Sequence, residues 1–344
     1  MSPRWLRCMG LMAPVLLASM GSRAEAACQL LQVAELPVSM RGNTPLVPAS
    51  IDGHAVQMMV DTGAAKSMIW RSKAQEFNLR ITSSNMKFYG VGGADEAGVV
   101  LVQELGLAGG TAHDVLLYAA GRGNSFANSA GILGEDVLSK WDLEFDLSAG
   151  KIRLFNPKNC EGDQVAYWAT SYFMAKLVHG AAGTNWLAAN VSLDGHQIVA
   201  MFDTGSALST VSSKALLQTG IKAEAPPVAA EATRGLVNRP IETAIAVFPT
   251  LTVGQESVEN VKLRIADLFS ANTEAETGSL IRRSVMASPD LIIGADFFMA
   301  HRIYVARSQG KIYFTYKGGQ IFQLRAPSAT STPAEADSGD SKPE

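Results

Sequence analysis

Ile51-Asp-Gly-His-Ala-Val-Gln-Met-Met-Val-Asp-Thr-Gly-Ala64 reappears 142 residues downstream as Leu193-Asp-Gly-His-Gln-Ile-Val-Ala-Met-Phe-Asp-Thr-Gly-Ser206. No gap is needed to align the two. A second match follows in each half: Gly131-Ile-Leu-Gly-Glu-Asp136 aligns with Leu291-Ile-Ile-Gly-Ala-Asp296 at an offset of 160 residues. The same offset lays Ser148-Ala-Gly-Lys-Ile152 on Ser308-Gln-Gly-Lys-Ile312, so the second copy carries about 18 extra residues between its motifs. With two long copies and no shorter period, the 344-residue chain is a duplicated domain and not a solenoid.

Around these motifs the local reading is β-rich. Asp52-Gly53 and Asp194-Gly195 are tight-turn dipeptides between apolar runs, the mark of a hairpin. Val56 to Val60 and Ile198 to Phe202 read as buried strands. Leu143-Glu-Phe-Asp-Leu147 alternates and predicts a half-exposed strand, followed through Ala149-Gly150 by a second at Lys151 to Phe155. Arg302 to Val305 and Lys311 to Phe314 repeat that pair. Short helices are expected at Ser72–Phe77, at Ser213–Gln218 and after each second motif. Asn156 to Asp163, with Pro157 and Gly162, is the natural boundary. The expected layout is a lobe over 27–157, a lobe over 158–325 and a disordered tail at 326–344.

Residues 1–26 read as an export signal: Arg4 and Arg7, an apolar run from Leu6 to Met20, then Ala24-Glu25-Ala26 as a cleavage site. The run is shorter than a spanning helix needs, which leaves no membrane span once the signal is removed and places the protein in the periplasm or the medium. Signal removal takes Cys8 with it and leaves Cys28 and Cys160. An even pair in an exported protein suggests one disulfide, with two unpaired thiols as the alternative. The net charge of −3 and the lack of a basic run argue against nucleic acid as a partner. Five His and three Cys, none in metal-ligand spacing, point to neither a metal nor any other cofactor. His54 and His196 share a turn position and are expected to face solvent, and Trp70, Trp141 and Trp186 to serve packing.

A strand ending in Asp-Thr-Gly presents a carboxylate on a tight loop whose backbone N–H groups can reach it. In a duplicated domain the two copies can meet at a pseudo-twofold axis, bringing Asp61 to Asp203. Two carboxyls so placed share one proton over a wide pH range, so one serves as general base and the other as general acid. That is equipment for peptide hydrolysis with neither metal nor covalent intermediate.

On these motifs, from roughly Leu30 to Arg325, the chain resembles the aspartic proteases, in particular the retroviral-like (retropepsin) branch, here with two halves in tandem as in the pepsins. The resemblance implies an all-β, bilobal fold of two pseudo-twofold-related, barrel-like lobes with short helices. It implies a monomer that cleaves polypeptide substrate in extended conformation. It assigns Asp61 and Asp203 to the catalytic dyad, and Thr62, Gly63, Ala64, Thr204, Gly205 and Ser206 to the supporting loops. Ile132-Leu133-Gly134 and Ile292-Ile293-Gly294 match the segments that cross behind the dyad. Tyr89-Gly90-Val91-Gly92-Gly93, 28 residues after Asp61, matches a flap over the cleft, while a second flap at Arg234 to Pro240 is left open. Ala64 lacks the hydroxyl that Ser206 keeps, so Asp203 is expected to accept one more hydrogen bond and to be the ionised member. The alternative is a non-catalytic module that binds peptide in the same cleft.

Overall fold

The computed structural model describes residues 27–121, 128–178, 186–237, 239–269 and 288–322. The expected signal, 1–26, and the tail, 326–344, lie outside the described residues. Both Asp-Gly turns form: Asp52 and Gly53 have φ of 46° and 81°, Asp194 and Gly195 of 47° and 79°. Positive φ at both central residues is the type I′ geometry whose twist suits a two-residue hairpin.

In the first half β1 spans Gln29–Pro37, β2 Ser39–Arg41, β3 Thr44–Ile51, β4 His54–Val60 and β5 Met68–Trp70, leading into helix α1, Arg71–Glu76. Then come β6 at Thr82–Gly90, β7 at Gly93–Leu107, β8 at Gly110–Ala120 and β9 at Gly131–Leu133. Helix α2, Glu135–Leu138, precedes β10, Asp142–Asp146, and β11, Lys151–Lys158. The second half runs β12 Phe173–Val178, β13 Ala188–Leu193, β14 His196–Phe202, β15 Thr210–Val211 and α3 Ser213–Thr219. It continues with β16 Val228–Thr233, β17 Ile241–Val253, β18 Glu256–Ile265 and β19 Leu291–Ile293. Helix α4, Ala295–Ala300, then leads to β20, His301–Ala306, and β21, Lys311–Tyr316. Apart from β2, each first-half strand has a counterpart in the second.

The pairing repeats as well. β4 runs parallel to β9, and β14 to β19, while β5 and β15 lie antiparallel on the far sides of β9 and β19. The halves join through the order β1-β11-β10-β20-β21-β12, which reads the same from either end. The pseudo-twofold axis therefore passes between β10 and β20, where Leu143 faces Val305 and Phe145 faces Ile303.

β10 corrects the expectation of a half-exposed strand, since all five of its residues are buried. It is central in a sheet covered on both sides, and its acids are neutralised in place. Fully buried Glu144 receives Arg153 from β11, Arg302 from β20 at 3.0 Å and the Tyr167 hydroxyl at 2.5 Å. β11 also continues to Lys158, so the stretch read as a boundary begins inside a strand. Cys28 and Cys160 form a disulfide that ties the start of β1 to the end of β11. Among the described residues no helix is long and apolar enough to cross a membrane.

Candidate active site

The apolar runs of β4 and β14 end at Val60 and Phe202, and the next residue in each is an aspartate. The backbone N–H of Asp61 donates to the Leu133 carbonyl at 3.0 Å, and that of Asp203 to Ile293 at 2.9 Å. Ile132-Leu133-Gly134 and Ile292-Ile293-Gly294 thus lie directly behind the two loops. Leu133 and Ile293 point into the main core, while Ile132 and Ile292 point to the opposite face. After the glycines, the N–H of Glu135 donates to the Ala64 carbonyl and that of Ala295 to Ser206, both at 2.8 Å.

Fully buried Thr62 and Thr204 lock the loops to each other. Each hydroxyl donates across the axis to the strand end of the other half: Thr62 Oγ1 to the Phe202 carbonyl at 2.8 Å, Thr204 Oγ1 to Val60 at 2.7 Å. Each hydroxyl also accepts the other threonine's backbone N–H, at 3.1 and 3.0 Å. Gly63 and Gly205 are required by close approach. A Cβ on Gly63 would fall 2.5 Å from the carboxyl carbon of Asp203, and one on Gly205 would collide equally with Asp61. Each carboxyl therefore lies over the glycine of the opposite loop.

Asp61 Oδ1 accepts the N–H groups of Gly63 and Ala64 at 2.9 and 3.0 Å, and Asp203 Oδ1 those of Gly205 and Ser206 at 2.8 and 3.2 Å. Burial, then the negative charge of Asp203, holds Asp61 well above the ordinary carboxyl range. Burial also raises Asp203, while neighbouring Asp61 and the N–H groups of Gly205 and Ser206 pull it back. Two acids held this close and away from water favour the state in which they share one proton. Each carboxyl accepts two backbone N–H groups, so the extra bond expected at Asp203 is not formed: the Ser206 hydroxyl donates to the Leu208 carbonyl at 3.0 Å instead.

Tyr89 to Gly93 form the tip of the β6–β7 hairpin, with Gly90 paired to Gly93 and Tyr89 exposed. The β16–β17 hairpin supplies a second arm, since Thr233 pairs with Ile241 at its tip. The two tips meet: Leu236 lies 3.1 Å from where a Gly90 Cβ would be, and Val91 2.4 Å from where a Gly235 Cβ would be, while the Gly92 N–H donates to the carbonyl of Leu268, just after β18, at 3.2 Å. Val91 packs on a second-half cluster of Met201, Ala266, Leu268 and Ile292. Leu236 packs in return on a first-half cluster that includes Met59, Met68, Trp70 and Ile132. The arms cross.

Sequence reasoning missed a matched pair of supports. Ser67 donates its N–H and its hydroxyl to Asp136 at 2.8 and 2.7 Å, and accepts the Gly134 N–H at 3.0 Å. Ser209 does the same with Asp296 and Gly294. Both pairs stand at the repeat's own offsets of 142 and 160 residues, the signal that could have found them. Elsewhere, exposed His54 stacks on Phe77 at 4.4 Å, exposed His196 bonds the Asp194 carbonyl, and Trp141 and Trp186 pack at the edges of apolar clusters.

A family model described as aspartyl protease matches residues 47–137 and 189–297, one segment in each half. No curated protein matches the chain.

Proposed function

The chain belongs to the aspartyl protease family and has its bilobal, mostly β fold, and from that premise we propose that it is an exported endopeptidase working through Asp61 and Asp203. The observation that carries the proposal is the two carboxyls held face to face by the threonine bonds, each against the glycine of the opposite loop.

Ionised Asp203 takes a proton from a water lying between the carboxyls, and the water oxygen attacks the peptide carbonyl carbon. Asp61 gives its proton to the carbonyl oxygen, which yields a neutral diol. The C–N bond breaks as Asp203 returns its proton to the nitrogen. Asp61 regains a proton from one diol hydroxyl, so the pair ends in its starting state. The crossed arms would exclude bulk water over the bond being cut.

The test is cleavage of a diverse peptide pool by the purified chain, beside Asp61→Asn and Asp203→Asn. Each substitution is expected to lower the rate by about 10²–10⁴-fold, the usual worth of a positioned acid or base. A folded wild-type protein that cuts nothing yet retains peptides would replace this reading with a peptide-binding module.

A further inference from the structure

The two halves differ on the face of the core that the arms pack on. In the first half the Trp70 indole fills the space beyond β5. It is 3% exposed, packs with Met68, Ala120 and Ile132, and donates from Nε1 to the Ser129 hydroxyl at 3.0 Å. Its ring lies 2.8 Å from where a Gly121 Cβ would be. At the 142-residue offset of the repeat, Ser212 stands where Trp70 stands. The register agrees: Trp70 pairs with Ala120, while Val211 pairs with Ile265, which places Ser212 beside Ala266.

Where the second half lacks that indole there is a cavity of about 150 Å³, lined by Ala266, Leu268, Phe269, Pro289, Ile292 and Ser212. It adjoins the chemistry. Ile292 precedes the residue whose carbonyl holds Asp203, and Leu268 accepts the hydrogen bond from the tip of the first arm. An apolar cavity of about this size takes a benzene ring. Part of its lining is polar, Thr210, Lys214 and Ser288 among it, and there the Ser212 hydroxyl donates to Asp267 at 3.2 Å.

We propose that this cavity receives the side chain of one aromatic substrate residue, phenylalanine or tyrosine, and that Trp70 closes the mirror position. Substrate selection is then one-sided, set by Ser212 on one half and Trp70 on the other. The proposal deepens the protease reading and rests on it.

Two measurements separate their failures. Fluorine NMR of 4-fluorotoluene with the full-length chain reports the cavity without any cleavage. Saturable binding is expected, lost in Ser212→Trp and in Ala266→Met. The second variant leaves intact the helix cap that Ser212 provides to Ala215. Profiling of a peptide pool is expected to enrich aromatic residues at one position on one side of the cut bond, with at least a tenfold loss in both variants. Cleavage without that one-sided preference, or a preference that neither variant moves, overturns the proposal. Binding lost in the filled variants but with no cleavage by wild type supports the aromatic site and overturns the protease reading. Neither binding nor cleavage overturns both.

Discussion

Thr62 and Thr204 each carry out two tasks with one hydroxyl, donating to a carbonyl across the axis and accepting an amide. Thr62→Val keeps the shape and deletes both, leaving the Phe202 carbonyl and the Thr204 N–H without these partners in a fully buried place. Each orphaned group costs about 1–3 kcal/mol, so urea unfolding should show a loss of that order or more. Ser206→Ala is a contrasting case. Because its hydroxyl bonds Leu208 and not Asp203, the acid limb of the pH–rate profile should stay in place; a displaced limb would return the hydroxyl to the carboxylate. The aspartates, threonines and glycines were legible because duplication printed them twice. The direction of the Ser206 hydroxyl was not, because its acceptor is the Leu208 carbonyl two residues on, which comes within reach only through the turn the folded loop makes. Ser67, Asp136, Ser209 and Asp296 were on the page at the right offsets but carry no reactive chemistry that would single them out.

At the scale of elements, the hairpins and the strands bearing the aspartates followed from turn dipeptides and apolar runs. Two features did not. The alternation of Leu143 to Leu147 reports a strand but not its position, and a central strand can bury its acids when arginines from both neighbours reach them. The second arm could not be read from Arg234 to Pro240, where the glycine pattern of the first is absent. The β1–β11 pair carries a prediction of its own. The Cys28–Cys160 bond closes a separation of 132 residues, long enough to restrict the unfolded chain strongly. Replacing both cysteines by alanine should lower stability by about 2–4 kcal/mol. Cleavage at 25 °C should persist, because the bond lies at the outer edge of the shared sheet; lost activity in a folded variant would contradict this.

The molecule as a whole buries several carboxyls whose ordinary values burial raises: Glu135 to about 7 and Asp296 to about 6, with Asp142, Asp61 and Asp203 moved in the same direction. A raised carboxyl means the fold binds protons that the unfolded chain, near 3.8 to 4.5, has already released. The stability this gives is fully present below about pH 4 and is lost as pH climbs through 6 and 7. Glu35, lowered by Lys151 and Arg153 at the surface, works the other way. The urea midpoint should therefore be higher at pH 5 than at pH 7.5; a midpoint that rises with pH would refute this account. The crossed arms have a kinetic corollary. On the protease reading, Val91 and Leu236 leave the clusters they pack on to admit a chain beneath them, and an extended strand needs less of an opening than a folded surface. The pace of degradation of a native protein would then be governed by how often that protein exposes a slack run of its own backbone, so its turnover would track the victim's local unfolding and not the sequence at the cut.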